Sequence, residues 1–83
     1  MPYMNNLHYN LLFKEQPEGG YMVTIPSLPG CFTYGKDIKE AKEMAIDAIK
    51  AYLASLEKHG ESIPTSEQEY VTSVDVEYVS SLT

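Results

Sequence analysis

Residues 37–60 read DIKEAKEMAIDAIKAYLASLEKHG, and this stretch decides the fold. Its apolar residues recur at spacings of three and four, the period of an amphipathic α-helix with one buried stripe. The stripe consists of Ile38, Ala41, Ala45, Ala48, Ile49, Tyr52 and Leu56. Charged residues occupy the opposite side. We predict a helix of about six turns, at ~3.6 residues per turn, on which the other segments pack.

The two ends of this stretch match the preferences of helix termini. Asp37 can accept hydrogen bonds from the free amides of the first turn, and Glu40 completes a pair of the capping-box type. Lys58 and His59 lie where the helix dipole favours cations, and Gly60 can adopt the left-handed conformation that ends many helices. The helix is therefore predicted between Asp37 and Gly60.

Three segments before the helix have the pattern of short strands. Residues 7–14 alternate between apolar and mixed side chains, and residues 21–25 and 31–34 are short, largely apolar runs. Turns that contain proline and glycine separate them, and Pro29-Gly30 suits the middle of a type II turn. These segments predict an antiparallel meander.

Residues 69–79 alternate again, which predicts a fourth strand after the helix. Its more apolar face consists of Tyr70, Thr72, Val74, Val76 and Tyr78. A right-handed crossover through the helix would place this strand parallel to the first one. The predicted fold class is α+β, a single domain over residues 1–83 with a core at 7–79 and the order β-β-β-α-β. This is the order of the front portion of the ribonuclease H fold.

Composition limits the possible partners of the chain. Twelve acidic and six basic residues give 83 residues a formal net charge of −6, and arginine is absent. Direct nucleic-acid binding needs clustered basic residues, so we do not expect it, and a basic protein is a better partner. No apolar run approaches the ~20 residues that span a bilayer. The N-terminus does not resemble a signal peptide and Cys31 is the single cysteine, so we expect no membrane association and a cytoplasmic location.

The residues that could carry catalysis are better explained by structural roles. His8 has no second ligand at metal-binding spacing, and His59 suits a helix C-terminus. Cys31 lacks a recognisable histidine–acid pair and is expected to be buried. A metal-dependent nuclease built on Asp75, Glu77 and a helix carboxylate would need an acid in the first strand, which has none. We therefore expect no enzyme, no metal and no cofactor.

One helix cannot cover both faces of a four-stranded sheet. The uncovered face would carry His8, Leu12 and Met22. Burying them against a second copy is the simplest remedy for a chain with little apolar area to spare. We expect these residues to mediate self-association, as a homodimer or a dimer of dimers.

Residues 20–31, GYMVTIPSLPGC, resemble the signature of the HicB-like antitoxins. Gly35, Glu40-Ala41, Gly60 and Pro64 follow at the spacing of that family, so that the resemblance covers residues 7–76. It implies a partial ribonuclease-H-like fold without nuclease chemistry. It also implies a partner, a small basic HicA-type toxin that cleaves mRNA and is neutralised by the antitoxin. HicB-like proteins commonly form dimers or tetramers.

For contacts with such a toxin, the candidate residues are Leu28, Phe32, Tyr34, Glu40 and Glu43. Family members that repress their own operon carry a C-terminal DNA-binding domain, which does not follow the last predicted strand here. Operator binding by this polypeptide alone is therefore not expected. Two alternatives to the antitoxin remain open on the sequence, an orphan scaffold or small-ligand-binding protein and, less favoured, a divergent metal-dependent nuclease.

Overall fold

The fold is a three-stranded antiparallel sheet with one helix packed on one face. The computed structural model describes residues 6–81. Its elements are β1 (Leu12–Glu15), β2 (Tyr21–Thr24), β3 (Phe32–Gly35) and α1 (Ile38–Lys58). The strand order is β1-β2-β3, with both pairs antiparallel. This confirms the predicted α+β class and the arrangement of a small meander followed by a helix.

Both predicted ends of α1 are confirmed. The Asp37 carboxylate accepts a hydrogen bond from the Glu40 amide at 2.8 Å. The Glu40 carboxylate accepts in turn from the Lys36 amide at 3.0 Å, one residue earlier than in a standard capping box. Gly60 has φ +69°, and the Glu61 amide donates to the Leu56 carbonyl across it at 2.9 Å. This is the hydrogen bond of a Schellman motif, which requires the left-handed residue that glycine supplies.

The core lies between the sheet and the first half of α1. Its buried members are Val23, Ile25, Leu28, Cys31, Ala41 and Ala45. Alanine at the last two positions lets the helix approach closely, and Gly35 of β3 allows the closest contact. A Cβ added to Gly35 would lie 2.3 Å from the Ala41 nitrogen. The small residues therefore set the distance between helix and sheet.

The loop between β2 and β3 is folded against the helix. Gly30 has φ +79°, and the Cys31 amide donates to the Leu28 carbonyl at 2.9 Å, as expected for the predicted turn at Pro29-Gly30. The Tyr52 hydroxyl of α1 donates to the Pro29 carbonyl at 2.8 Å. The loop is thus held on the helix by a side chain from its fourth turn.

The prediction of a fourth strand over residues 69–79 is wrong for the single chain. Within the part of the chain that the structure describes, these residues pair with no strand. A turn closed by a hydrogen bond from the Glu69 amide to the Ser66 carbonyl, at 3.0 Å, directs the chain away from the edge of β1. Residues 70–79, here termed the arm, leave the domain and are all exposed. Ser80, which follows the arm, is partly buried.

Candidate functional site

The sheet face that points away from α1 is uncovered among the described residues. The strand register places Leu12, Thr24 and Phe32 in one row and Lys14, Met22 and Tyr34 in the next. All six side chains are exposed. We term these six residues the open face. Because four of the six are large and apolar or aromatic, and because they are contiguous across three strands, the open face has the composition of a protein-binding surface.

Two aromatic residues of β3 dominate the open face. Phe32 is 62% exposed, although phenylalanine is usually buried. Tyr34 donates from its hydroxyl to the Gly19 carbonyl at 3.0 Å, and its ring occupies the space where a side chain at Gly20 would lie. Tyr34 is therefore fixed in place before any partner arrives, which lowers the entropy cost of binding.

Two of the residues predicted for self-association and two of those predicted for toxin contact share one surface. Leu12 and Met22 lie on the open face beside Phe32 and Tyr34, and so do not form a separate patch. His8 lies in the segment before β1 and is exposed. Its backbone carbonyl accepts a hydrogen bond from the Ser66 amide at 2.9 Å. The structure thus brings four of the predicted residues together and sets His8 apart at the edge of the sheet.

The other predicted contact residues do not lie on the open face. Leu28 is fully buried in the core and unavailable to a partner, which corrects its assignment as a contact residue. The two turns on either side of it fold its side chain inward. Glu40 and Glu43 lie on α1, and Glu40 also forms an exposed ion pair with Lys36 at 3.9 Å. Their carboxylates belong to the helical side of the molecule.

Ser66 is a structural residue that the sequence pattern does not reveal. It is the one buried polar residue among those described, and its hydroxyl oxygen lies 2.6 Å from the Ser27 hydroxyl oxygen. The same oxygen accepts a hydrogen bond from the Asn10 amide at 3.0 Å. Ser66 therefore joins the β2–β3 loop, the segment before β1 and the connection after the helix.

Replacing Ser66 with alanine should destabilise this junction. The substitution leaves the partly buried Asn10 backbone amide without its acceptor and the Ser27 hydroxyl without its partner, at a cost of about 2 kcal/mol. For a domain of this size we expect the thermal midpoint to fall by roughly 10 °C. Thermal unfolding followed by circular dichroism measures the shift. Ser62→Ala is the matched control, because Ser62 is exposed in the same connection and should leave the midpoint within about 2 °C; equal effects of the two substitutions would contradict the role of Ser66.

Two of the candidate catalytic residues, Cys31 and His59, occupy structural positions. Burial raises the pKa of the Cys31 thiol, so the reactive thiolate is disfavoured. The His59 ring hydrogen-bonds the Ser55 carbonyl at 2.8 Å at the end of α1. Asp75 and Glu77 lie on the exposed arm. Between residues 6 and 81, no group of three or more potential metal ligands occurs.

Tyr9 lies beside the Ser66 junction and donates from its hydroxyl to the Pro64 carbonyl. Burial, and to a smaller degree the nearby Glu67 carboxylate, raises the pKa of this phenol. The Tyr9 hydroxyl therefore remains a hydrogen-bond donor well into alkaline solution, and this contact is insensitive to physiological changes of pH.

No helix within residues 6–81 has the length and apolar character needed to cross a bilayer.

The fold and the open face together define a small α+β domain with a surface suited to protein partners. The family model described as a HicB-like antitoxin of bacterial toxin–antitoxin systems matches residues 9–82. The chain belongs to this family. This confirms the resemblance carried by residues 20–31.

Three relatives illustrate the range of the family. A UPF0150 protein of Thermoplasma acidophilum is 44% identical over 66 residues, which cover 80% of this chain and 96% of that protein. Antitoxin HicB 1 of Photorhabdus laumondii is 34% identical over 74% of this chain. Antitoxin HicB of Escherichia coli is 40% identical over 52% of this chain. The matched parts are only 39% and 31% of these two antitoxins, so the chain corresponds to less than half of each.

Proposed function

We propose that this chain is a non-enzymatic antitoxin that binds and neutralises a small basic HicA-type toxin in the cytoplasm. Membership of the HicB-like family indicates an antitoxin role in a toxin–antitoxin system. The observation that carries the more specific proposal is the open face, an exposed apolar and aromatic surface on a rigid sheet. A surface of this kind costs free energy in water unless a partner covers it.

The toxin would pack on the open face around Phe32. Aromatic residues and methionine are enriched in the centres of protein interfaces, where a few well-packed anchor residues contribute most of the binding energy. Phe32 projects into solvent, while Tyr34 beside it is held by the Gly19 carbonyl. Phe32 is therefore the proposed anchor, and Leu12 and Met22 complete the apolar surface around it.

The acidic charge of the chain would favour a basic partner. The formal net charge is −6, and the carboxylates outside the open face include those of the exposed Glu43 and the half-buried Glu40 on α1. Charges at the rim of an interface act mainly on the rate of association, and they weaken as salt is added. We therefore assign affinity to the open face and steering of the toxin to the net acidic charge of the whole chain, because α1 itself carries four carboxylates and four lysines.

The test uses the product of a short basic reading frame beside the gene for this chain, purified and assayed for cleavage of labelled mRNA. A stoichiometric amount of this chain should abolish cleavage, and the chain alone should cleave nothing with Mg²⁺ or Mn²⁺. Phe32→Asp should weaken inhibition by about 30-fold or more, the loss typical of an interface anchor. Lys42→Gln, an exposed change on α1 away from the open face, is the matched control and should inhibit normally.

Two results would overturn the proposal. Undiminished cleavage in the presence of excess folded chain would remove the antitoxin assignment. RNA cleavage by the chain alone, lost in Asp75→Asn, would establish the nuclease alternative instead. Inhibition by Phe32→Asp equal to that by the unchanged chain would leave an antitoxin whose contact is not the open face, and would exclude the anchor role.

A further inference from the structure

The arm has the residue pattern of a β-strand, but within the described residues it pairs with no strand. Tyr70, Val74, Val76 and Tyr78 recur on alternate positions, and each is more than three-quarters exposed. Alternation of this kind is typical of a strand with one buried face. The structure measures 63 Å along its longest axis and 28 Å and 21 Å along the others, as expected for a domain with a projecting segment. Within residues 6–81, the arm thus carries an apolar face that is largely exposed.

A groove lies where a fourth strand would pack. It has a volume of about 370 Å³ and runs between the segment before β1 and the second half of α1. Its lining is apolar except for one lysine, and consists of Leu7, Tyr9, Leu11, Ile46, Ile49, Lys50 and Leu53. A small-molecule site usually has several convergent polar groups, which this lining lacks. The groove therefore fits an apolar strand better than a polar ligand.

The chain prevents its own arm from entering this groove. Ser66 begins to pair with the segment before β1, because its amide donates to the His8 carbonyl at 2.9 Å. In a parallel ladder the Ser66 carbonyl would next accept from the Asn10 amide. The Ser66 hydroxyl accepts this hydrogen bond instead, and the carbonyl closes the turn with Glu69. Pairing with the segment before β1 stops there, and the chain turns away, so that the outer edge of β1 pairs with no strand within the described residues.

We propose that two copies of this chain exchange their arms, so that each arm lies along β1 in the groove of the other copy. The same sequence supplies an open strand edge, an apolar groove beside it and an apolar strand that cannot reach the groove of its own chain. A reciprocal exchange fills the groove and buries the apolar face of the arm in both copies. It does so through one two-fold symmetric contact, which produces a closed dimer. The added strand also pairs the free backbone groups of an exposed sheet edge.

Exchange of arms leaves the open face free. The open face points away from α1, whereas the groove lies at the sheet edge on the helix side. Self-association is thereby assigned to the arm and the β1 edge, and Leu12 and Met22 are assigned to the toxin surface. This inference concerns a different surface from the proposed function, and each can fail without the other.

Sedimentation equilibrium of the full chain between 1 and 100 µM is the first measurement, roughly the range in which a weak dimer dissociates. The full chain should pass from the 9.3 kDa mass to twice that mass as concentration rises. A chain ending at Glu69 should stay at the monomer mass while keeping its helix by circular dichroism. Val76→Asp should weaken dimerisation by at least tenfold, and Val71→Asp, on the other face of the arm, should do so by less. A full chain that is monomeric throughout, or a dimer that survives truncation, would overturn the exchange.

Cross-linking identifies where the arm lies. In a Cys31→Ala background, one chain carries Ile46→Cys in the groove and the other carries Val76→Cys in the arm. A short bis-maleimide linker should join the two different chains, whereas Ile38→Cys, equally exposed on α1 but outside the groove, should not be joined. A chain that carries both cysteines and forms only an internal link at low concentration would show that the arm closes on its own groove.

The truncated chain also separates exchange from capture of the toxin by the arm. If the arm pairs copies, the chain ending at Glu69 should still inhibit the toxin through the open face. A full chain that is monomeric alone, together with loss of inhibition on truncation, would assign the arm to the toxin and reject the exchange. Sedimentation and toxin inhibition, compared between the full and the truncated chain, therefore decide whether the arm binds a second copy or the toxin.

Discussion

Ala45→Asp is expected to abolish cooperative unfolding of this domain. Ala45 is fully buried in the middle of α1 and belongs to the core cluster between helix and sheet. The new carboxylate would lie among apolar side chains, and the buried residues of the part of the chain that the structure describes include no Lys or His to pair with it. An unpaired buried charge costs several kcal/mol even after relaxation, which is a large part of the stability of a small domain. Thermal unfolding followed at 222 nm should show no sharp transition.

Ala54→Asp is the matched control for this change. It introduces the same residue in the same helix at an exposed position, so that it carries the same loss of helix propensity without burial. Its transition should remain cooperative, with a midpoint within a few degrees of the parent chain. A cooperative transition of Ala45→Asp close to that of Ala54→Asp would mean that this side of α1 does not face the sheet.

Gly35→Ala is expected to force α1 away from β3. A Cβ at Gly35 would lie 2.3 Å from the nitrogen and 2.4 Å from the Cα of Ala41. These are backbone atoms in the first turns of a helix, so they cannot move aside as a side chain could. Overpacking of this kind costs about 3 kcal/mol or more, and we expect the thermal midpoint to fall by at least 15 °C in a domain of this size.

Gly19→Ala separates the contact at Gly35 from the general effects of removing a glycine. A Cβ at Gly19 meets no atom within 4 Å, although its φ of +101° makes the change mildly unfavourable. We expect a loss of about 1 kcal/mol there. A Gly35→Ala chain as stable as Gly19→Ala would show that helix and sheet are farther apart than described.

The helix and its ends could be predicted because their signals are local. The spacing of the apolar stripe, Asp37 before the first turn and Gly60 after the last each act within a few residues. Gly30 is similar, since its left-handed conformation is required by a single turn. The strand pairing of the meander follows from the same kind of short-range information, because each strand pairs with its neighbour in the sequence.

The path of residues 69–79 could not be predicted because the deciding contacts are distant. The pattern of the arm is that of a strand, and only the position of Ser66 beside His8 and Asn10 determines whether it joins its own sheet. A serine in a polar connection gives no sign of burial. The burial of Leu28 is hidden from the sequence for a related reason, since loop residues are usually exposed and two consecutive turns bury this one.

The site could be predicted only in part. Alternation along the strands indicates that Leu12 and Met22 share the face opposite the helix, and the structure places them there beside Phe32. It does not indicate that Tyr34 is tied to the hairpin turn by its hydroxyl, because that contact depends on the approach of β3 to Gly20. The groove beside β1 likewise stays open because the turn between Ser66 and Glu69 directs the arm away from it, and the residue pattern does not predict this turn.

The junction at Ser66 also determines the order in which the molecule assembles. The meander and α1 need only short loop closures, since their strands and helix follow one another directly. The Ser66 hydroxyl instead bonds groups 56 and 39 residues away in the chain. Closing loops of that length comes late in folding because the chain entropy must first be reduced by other contacts. The connection after the helix is therefore the last segment to close and the first to open, and its amides, unlike those of Ala41 and Ala45, should exchange with solvent deuterium without global unfolding.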